Sequence, residues 1–218
     1  MAPVRRNPPP LLLLPLTLLT VVACRTGGGG QAPVVQPGAP GQESRAISPA
    51  QSAAALEPWH TAADITFMQG MIHHHAQALD MTALLATRTN SEDMKKLALR
   101  IELSQEDEIT MMREWLAERG ADVPGEHAHH APGAPLMPGM LTDADMARLA
   151  AAKGVAFDRL FLEYMIKHHG GALVMVKQLF STPGAGQEGE IFAFASDVDA
   201  DQLIEIRRMG LMLKELQK

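Results

Sequence analysis

The sequence predicts an all-α protein, an antiparallel four-helix bundle built from two repeated helical hairpins about a pseudo-two-fold axis. Three observations predict it. The stretch Phe67-Met68-Gln69-Gly70-Met71-Ile72-His73-His74-His75-Ala76-Gln77-Ala78-Leu79-Asp80-Met81 recurs as Phe161-Leu162-Glu163-Tyr164-Met165-Ile166-Lys167-His168-His169-Gly170-Gly171-Ala172-Leu173-Val174-Met175. Each copy is followed by a second shared pattern, Gln105-x-x-Glu108-Ile109-x-x-Met112 in the first half and Gln202-x-x-Glu205-Ile206-x-x-Met209 in the second. Four long segments carry helical signals, and none shows a sustained strand-like alternation.

The elements follow in order. Arg5 and Arg6 precede an apolar run from Leu11 to Ala23 that is short for a bilayer span and ends in Val21-Val22-Ala23-Cys24. Residues 1–23 therefore read as a signal peptide of the lipoprotein type, with the lipid on Cys24; a plain secretory peptide with an incidental cysteine is the alternative. Cys24 is the single cysteine, so it forms no intramolecular disulfide. Residues 24–58, rich in Gly, Pro, Gln and Ala without a hydrophobic period, read as a disordered tether. Residues 59–218 form the bundle.

The first helix has Thr61 as N-cap with Asp64 three positions on, and runs to about Arg88. The second is capped by Asn90 or Ser91, carries Glu92 and Asp93 in its first turn, and stops at Gly120. A short helix from Thr142, again with an acid three positions on at Asp145, ends near Gly154. The third long helix covers roughly 155–181 and is broken by Pro183-Gly184; the fourth covers roughly 187–216.

Alternating steps of four and three give each helix a buried seam. In the first it is Asp64, Met68, Met71, His75, Ala78, Thr82 and Leu85; in the third Asp158, Leu162, Met165, His169, Ala172, Val176 and Leu179. In the second it is Met94, Ala98, Ile101, Gln105, Glu108, Met112 and Trp115; in the fourth Ile191, Ala195, Val198, Gln202, Glu205, Met209 and Met212. Each seam thus has a polar layer partway along an apolar stripe. Folding the hairpins together is expected to bring His75, His169, Glu108, Glu205, Gln105 and Gln202 toward one another. Asp64 fits a capping-box acid, and Asp158 is read the same way.

Buried carboxylates and imidazoles are costly unless paired, hydrogen-bonded or metal-bound. Two answers compete, a His-Glu network that fixes register and a metal site. The thioethers of Met71, Met165, Met112 and Met209 in the same layers do little for a hydrogen-bond network, whereas Met and His together suit copper, thioether for Cu(I) and imidazole for either oxidation state. Met71 with His75, and Met165 with His169, stand four apart and share a helical face. His74 and His168 point about 100° away, toward Met81 and Met175, as a more peripheral pair. Core filling is the competing role for these methionines.

The connection 121–141 holds His127, His129, His130, Met137 and Met140 among Pro, Gly and Ala, and reads as a solvated linker or an auxiliary metal-capturing segment. A ferritin-like di-iron enzyme requires Glu on two helices and Glu-x-x-His on the other two. None of the four long helical segments carries Glu-x-x-His, which occurs at Glu57-Pro58-Trp59-His60, at the tether, and at Glu126-His127-Ala128-His129, in the connection. No Cys pair, phosphate loop or Ser nucleophile motif points to another enzyme. The formal net charge of -6, which becomes more negative once Arg5 and Arg6 leave with the signal peptide, argues against nucleic acid as a partner.

The repeated Phe67-x-x-x-Met71-Ile72-x-His74-His75, the two Gln-x-x-Glu-Ile-x-x-Met patterns, Pro138-Gly139-Met140 and Phe157-Asp158-x-x-Phe161-Leu162-x-x-Met165-Ile166-x-His168-His169 together resemble the domain-of-unknown-function 305 (DUF305) family over about residues 64–213. The resemblance implies a ferritin-like helical fold, residence in a bacterial envelope and a link to copper handling. Lys167 opposite His73, and Gly170-Gly171 opposite Ala76-Gln77, depart from perfect repetition. The expectation is an exported, lipid-anchored copper-binding protein, Cu(I) favoured, that sequesters or transfers metal and is not an enzyme. It is expected to be monomeric or a weak homodimer. A structural or partner-binding bundle with an internal His-Glu network is the alternative, and a metal-dependent oxidase the third choice.

Overall fold

The computed structural model describes residues 34–36, 43–50, 52, 60–125 and 136–217. The chain divides into two units, residues 1–56 and 57–218. In the first, β1 (Val34–Gln36) and β2 (Arg45–Ile47) pair antiparallel, with Val34 opposite Ile47 and Gln36 opposite Arg45. The sequence predicts no regular structure here, yet β-branched Val34, Val35 and Ile47 favour a pleated strand. A pair of three-residue strands is marginal by itself. The signal peptide at 1–23 and Cys24 lie outside the described residues.

The second unit is all-α. Helix α1 (Ala62–Ala83) opens on a capping box in which Thr61 and Asp64 satisfy each other's backbone N–H groups. It gives way at Leu84 to the single turn α2 (Leu85–Arg88). Helix α3 (Glu92–Glu118) is capped by Ser91, and α4 (Asp143–Ala151) by a second capping box of Thr142 and Asp145. Helices α5 (Val155–Ser181) and α6 (Gly189–Glu215) complete the unit, α6 capped by the Glu188 side chain. Among the described residues no helix is long and apolar enough to cross a membrane.

Helix α1 packs on α3, α5 on α6, and the two hairpins meet chiefly through α1 and α5. All seven seam positions of α1–α2 and all seven of α5 are buried, as are those of α3 and α6 apart from half-buried Glu108 and Met212. Asp64 has a second role, because its other carboxylate oxygen accepts the Gly186 N–H at 2.7 Å and so ties the start of α1 to the turn between α5 and α6. Asp158 does not repeat the cap: α5 begins after Gly154 with no side-chain cap, and Asp158 is buried one residue too far along.

The apolar core forms two clusters. One contains Met71 and Met112 from the first hairpin with Met175 from the second; the other contains Met165 and Met209 from the second with Met81 from the first. Each cluster thus joins the methionines one turn from the His-Glu contact of one half to the later methionine of the other, and Met94 of α3 falls in the second cluster. That exchange follows when α1 and α5 run past each other in opposite directions.

The segment Met137–Leu141 forms a strap across α1 and α5. Gln77 donates to the Leu141 carbonyl at 3.0 Å and accepts the Leu141 N–H at 2.7 Å, and Lys167 donates to the Met140 carbonyl at 3.3 Å. Gly139, with φ +78°, lies against Gly171: a methyl group added at Gly171 would fall 1.9 Å from the Pro138 carbonyl oxygen. Only paired glycines let two backbones approach this closely.

Candidate metal centre

The polar layer places imidazoles at the middle of the α1–α5 contact. His74 and His168 stack with ring centroids 3.8 Å apart and planes tilted by 37°, both fully buried. The sequence put these two at the periphery; the structure puts them at the centre. The cause is that α1 and α5 each bury two faces, one against the hairpin partner and one against each other, and the second face lies about 100° round from the seam.

His75 and His169 turn toward their own hairpin partners. His75 Nε2 lies 2.5 Å from Glu108, and His169 Nε2 lies 2.7 Å from Glu205, so the repeat reproduces one contact twice. The Ser104 hydroxyl donates to the other Glu108 oxygen at 3.0 Å, and Arg100 approaches Glu205 at 3.5 Å. Each His-Glu pair thus closes within its own hairpin beside the stacked imidazoles, with the His75 ring centroid 6.3 Å from His74 and that of His169 6.2 Å from His168. Gln105 and Gln202 are buried in the layer, each with an unpartnered side-chain oxygen.

Electrostatics keep the centre neutral. Burial, followed by the charge of His75, lowers the pKa of His74 to about 3, against a weak opposing hydrogen bond to Pro138. Burial also lowers His168 well below the ordinary imidazole value, with His74, His169 and His75 adding to the effect. For Glu108 burial acts upward, but the hydrogen bond and charge of His75, with the Ser104 hydroxyl, hold the carboxyl below its usual value.

Neutral rings leave lone pairs. His74 donates through Nε2 to the Pro138 carbonyl at 3.0 Å, so its Nδ1 is an acceptor. Nδ1 of His74, His75 and His169, and both ring nitrogens of His168, are buried without a hydrogen-bond partner. An unmet buried polar group costs roughly 1–3 kcal/mol, and such groups in one layer call for a ligand or a compensating role. Among the described residues no three His, Cys, Asp or Glu side chains converge as a ready-made metal cluster. What does border the layer is thioether: Met71, Met81, Met112, Met165 and Met209 are fully buried and Met175 nearly so. The donor set is thus nitrogen lone pairs and sulfur, with both glutamates already engaged, which matches a soft cation better than a hard one.

Of the auxiliary residues, Met140 is buried at 5% exposure and Met137 is half-buried against the cluster of Met71 and Met175. His127, His129 and His130 lie outside the described residues. Sequence reasoning passed over Gln77, Gly171 and the Pro138 carbonyl as parts of the centre. Their signal was present, since Gln77 and Gly171 are one of the places where the two repeats disagree.

Fold and site define an all-α unit with a buried imidazole layer, its central pair His74 and His168 uncharged, between banks of methionine. The chain belongs to the family described as domain of unknown function (DUF305), whose model matches residues 64–213. A crystal structure of a DUF305 protein assigned as secreted, from Streptomyces coelicolor, superposes with a TM-score of 0.62 at 30% identity, covering 71% of this chain and 94% of that one. Structures of CopM are similar as well. Its Cu(II)-bound form gives a TM-score of 0.58 at 29% identity, over 70% of this chain and 96% of CopM, and its Cu(I)-bound form gives 0.55 at 28%. A shorter match, 39% identical over 56 residues, is to uncharacterized protein L153 of Acanthamoeba polyphaga mimivirus; it spans 26% of this chain and 37% of that relative's length.

Proposed function

We propose that this protein is an exported copper-binding protein that carries Cu(I) as cargo within a ferritin-like four-helix bundle, for sequestration or transfer, and performs no catalytic step. The observation that carries the proposal is the interior imidazole layer with unpartnered ring nitrogens, bordered on both sides by buried thioethers. Imidazole lone pairs and thioethers are donors that suit Cu(I), and rings already neutral need lose no proton to accept it. His74, His168, Met71, Met112 and Met175 serve one side of the layer; Met81, Met165 and Met209 serve the other, with His75 and His169 held in place by Glu108 and Glu205. Similarity to CopM, which has been solved with Cu(I), Cu(II) and silver bound, supports the metal class. The secreted assignment of the Streptomyces relative supports export. A lipid on Cys24 then keeps the bundle at a membrane surface.

One observation favours a second role. The pairs His75–Glu108 and His169–Glu205 satisfy their Nε2 atoms with no metal, as a network that fixes register would. Anaerobic Cu(I) titration of the full chain against a chromophoric chelator separates the two. A copper carrier withdraws at least one ion from the chelator, and a register network withdraws none.

A further inference from the structure

Met175 keeps some exposure at 8%, whereas its counterpart in the first repeat, Met81, is fully buried. The difference traces to Gly70. The groove beside it, of about 470 Å³, is lined by Phe67, Gly70, Met137, Met175 and Leu179 among others, and, among the described residues, by no charged side chain or imidazole. A methyl group in the Cβ position of Gly70 would lie 3.3 Å from the Met137 sulfur and 3.4 Å from the Met175 Cε. Two thioether side chains from different segments therefore end over the same bare patch of α1 backbone. At the equivalent position of α5 stands Tyr164, whose hydroxyl donates to Asp145 at 3.2 Å. The arrangement over Gly70 is thus not repeated in the second half.

We infer that this groove is a solvent-facing site for a thioether-seeking monovalent cation, Cu(I) or Ag(I), held by Met137 and Met175, and that it is the point of entry to the buried layer. The inference rests on the copper-carrying function proposed above. Thioethers are the strongest soft donors that line the groove. With no carboxylate or imidazole among its described lining residues, it offers hard divalent cations little. Both ligands connect to the stacked rings. Met137 precedes Pro138, whose carbonyl holds His74, and Met175 lies two helical turns beyond His168 on α5. His168 is the ring with both nitrogens unpartnered, and so the natural acceptor of an ion leaving Met175.

The full chain labelled with ¹³C-methyl methionine, titrated with Ag(I) below one equivalent, reads out the order of binding without redox chemistry. The Met137 and Met175 methyl signals are expected to move first, ahead of Met71, Met112, Met165 and Met209. The double substitution Met137→Leu and Met175→Leu, which conserves volume, is expected to keep helicity and slow Ag(I) uptake by at least about tenfold. Early movement of the buried methionines with Met137 and Met175 unmoved overturns the entry site and leaves the carrier function standing. So does wild-type uptake in the double variant. If no methionine signal moves in the wild-type chain, the carrier function itself falls, and the entry site with it.

Discussion

His74 and His168 come from equivalent positions in the two repeats and stack at 3.8 Å, yet only His74 has a hydrogen-bond partner, the Pro138 carbonyl. A pair that is equivalent in sequence is thus inequivalent in chemistry.

Acid should unfold the helical unit earlier than an ordinary surface histidine content would. His74 has a folded pKa of about 3 against about 6.5 when unfolded. The unfolded chain therefore binds more protons between those values, and stability falls as pH drops. At pH 5 this single ring removes about 2 kcal/mol relative to pH 7.5. His168 acts in the same direction, and Glu108, with its lowered pKa, adds a loss below the usual carboxylate range. Chemical denaturation at the two pH values measures it, and replacing both His74 and His168 with Gln should flatten the dependence.

The glycine pair on α5 gives an internal control. Gly171→Ala puts a methyl 1.9 Å from the Pro138 oxygen. It should cost at least about 3 kcal/mol, because the obstacle is backbone. Gly170→Ala meets nothing within 4 Å and should stabilise α5 by about 0.5–1 kcal/mol through helix propensity. Equal effects at the two positions would show that the strap does not sit where described.

Replacing His169 with Leu leaves Glu205, whose side chain is 8% exposed, without its hydrogen-bond partner and with only the looser contact to Arg100 at 3.5 Å, and should cost about 1–3 kcal/mol in the metal-free protein. His75→Leu should cost less, since Glu108 is 21% exposed and keeps Ser104. Melting curves of the two variants without copper rank them.

Met71→Leu combined with Met165→Leu conserves core volume and should change stability by less than about 1.5 kcal/mol. The same variant should bind Cu(I) at least about tenfold more weakly, roughly 1.4 kcal/mol. Unchanged affinity, measured by chelator competition, would mean that these two thioethers are packing alone.

Much of this architecture was legible in the chain. Thr61 with Asp64 and Thr142 with Asp145 marked two helix starts, and both are capping boxes. The seams found every buried position on α6 but Phe194, and on α3 all but Leu97, Ile109 and Leu116. They fell short on α1 and α5, where Phe67, His74, Gln77, Phe161 and His168 are buried too. A seven-residue seam describes one contact face, and these helices have two. His74 and His168 lie on the second face, so their stacking was hidden until the hairpins were put together. The strap was hidden for a different reason: its hydrogen bonds use the Pro138, Met140 and Leu141 backbone, which side-chain patterns do not report.

The strap touches both members of a repeated pair, Gln77 through hydrogen bonds and Gly171 through bare backbone. Its mirror copy would need the same ground, so two straps cannot coexist. A dimer of identical half-chains would have to choose which half wears it, and fusing the halves into one chain settles the choice permanently. Once settled, the two halves answer to different demands: one must offer an amide to the strap, the other must offer nothing larger than hydrogen. The disagreement between the repeats at these positions is therefore what the strap requires of each half. Any ion held beside it meets a left side and a right side that are no longer interchangeable.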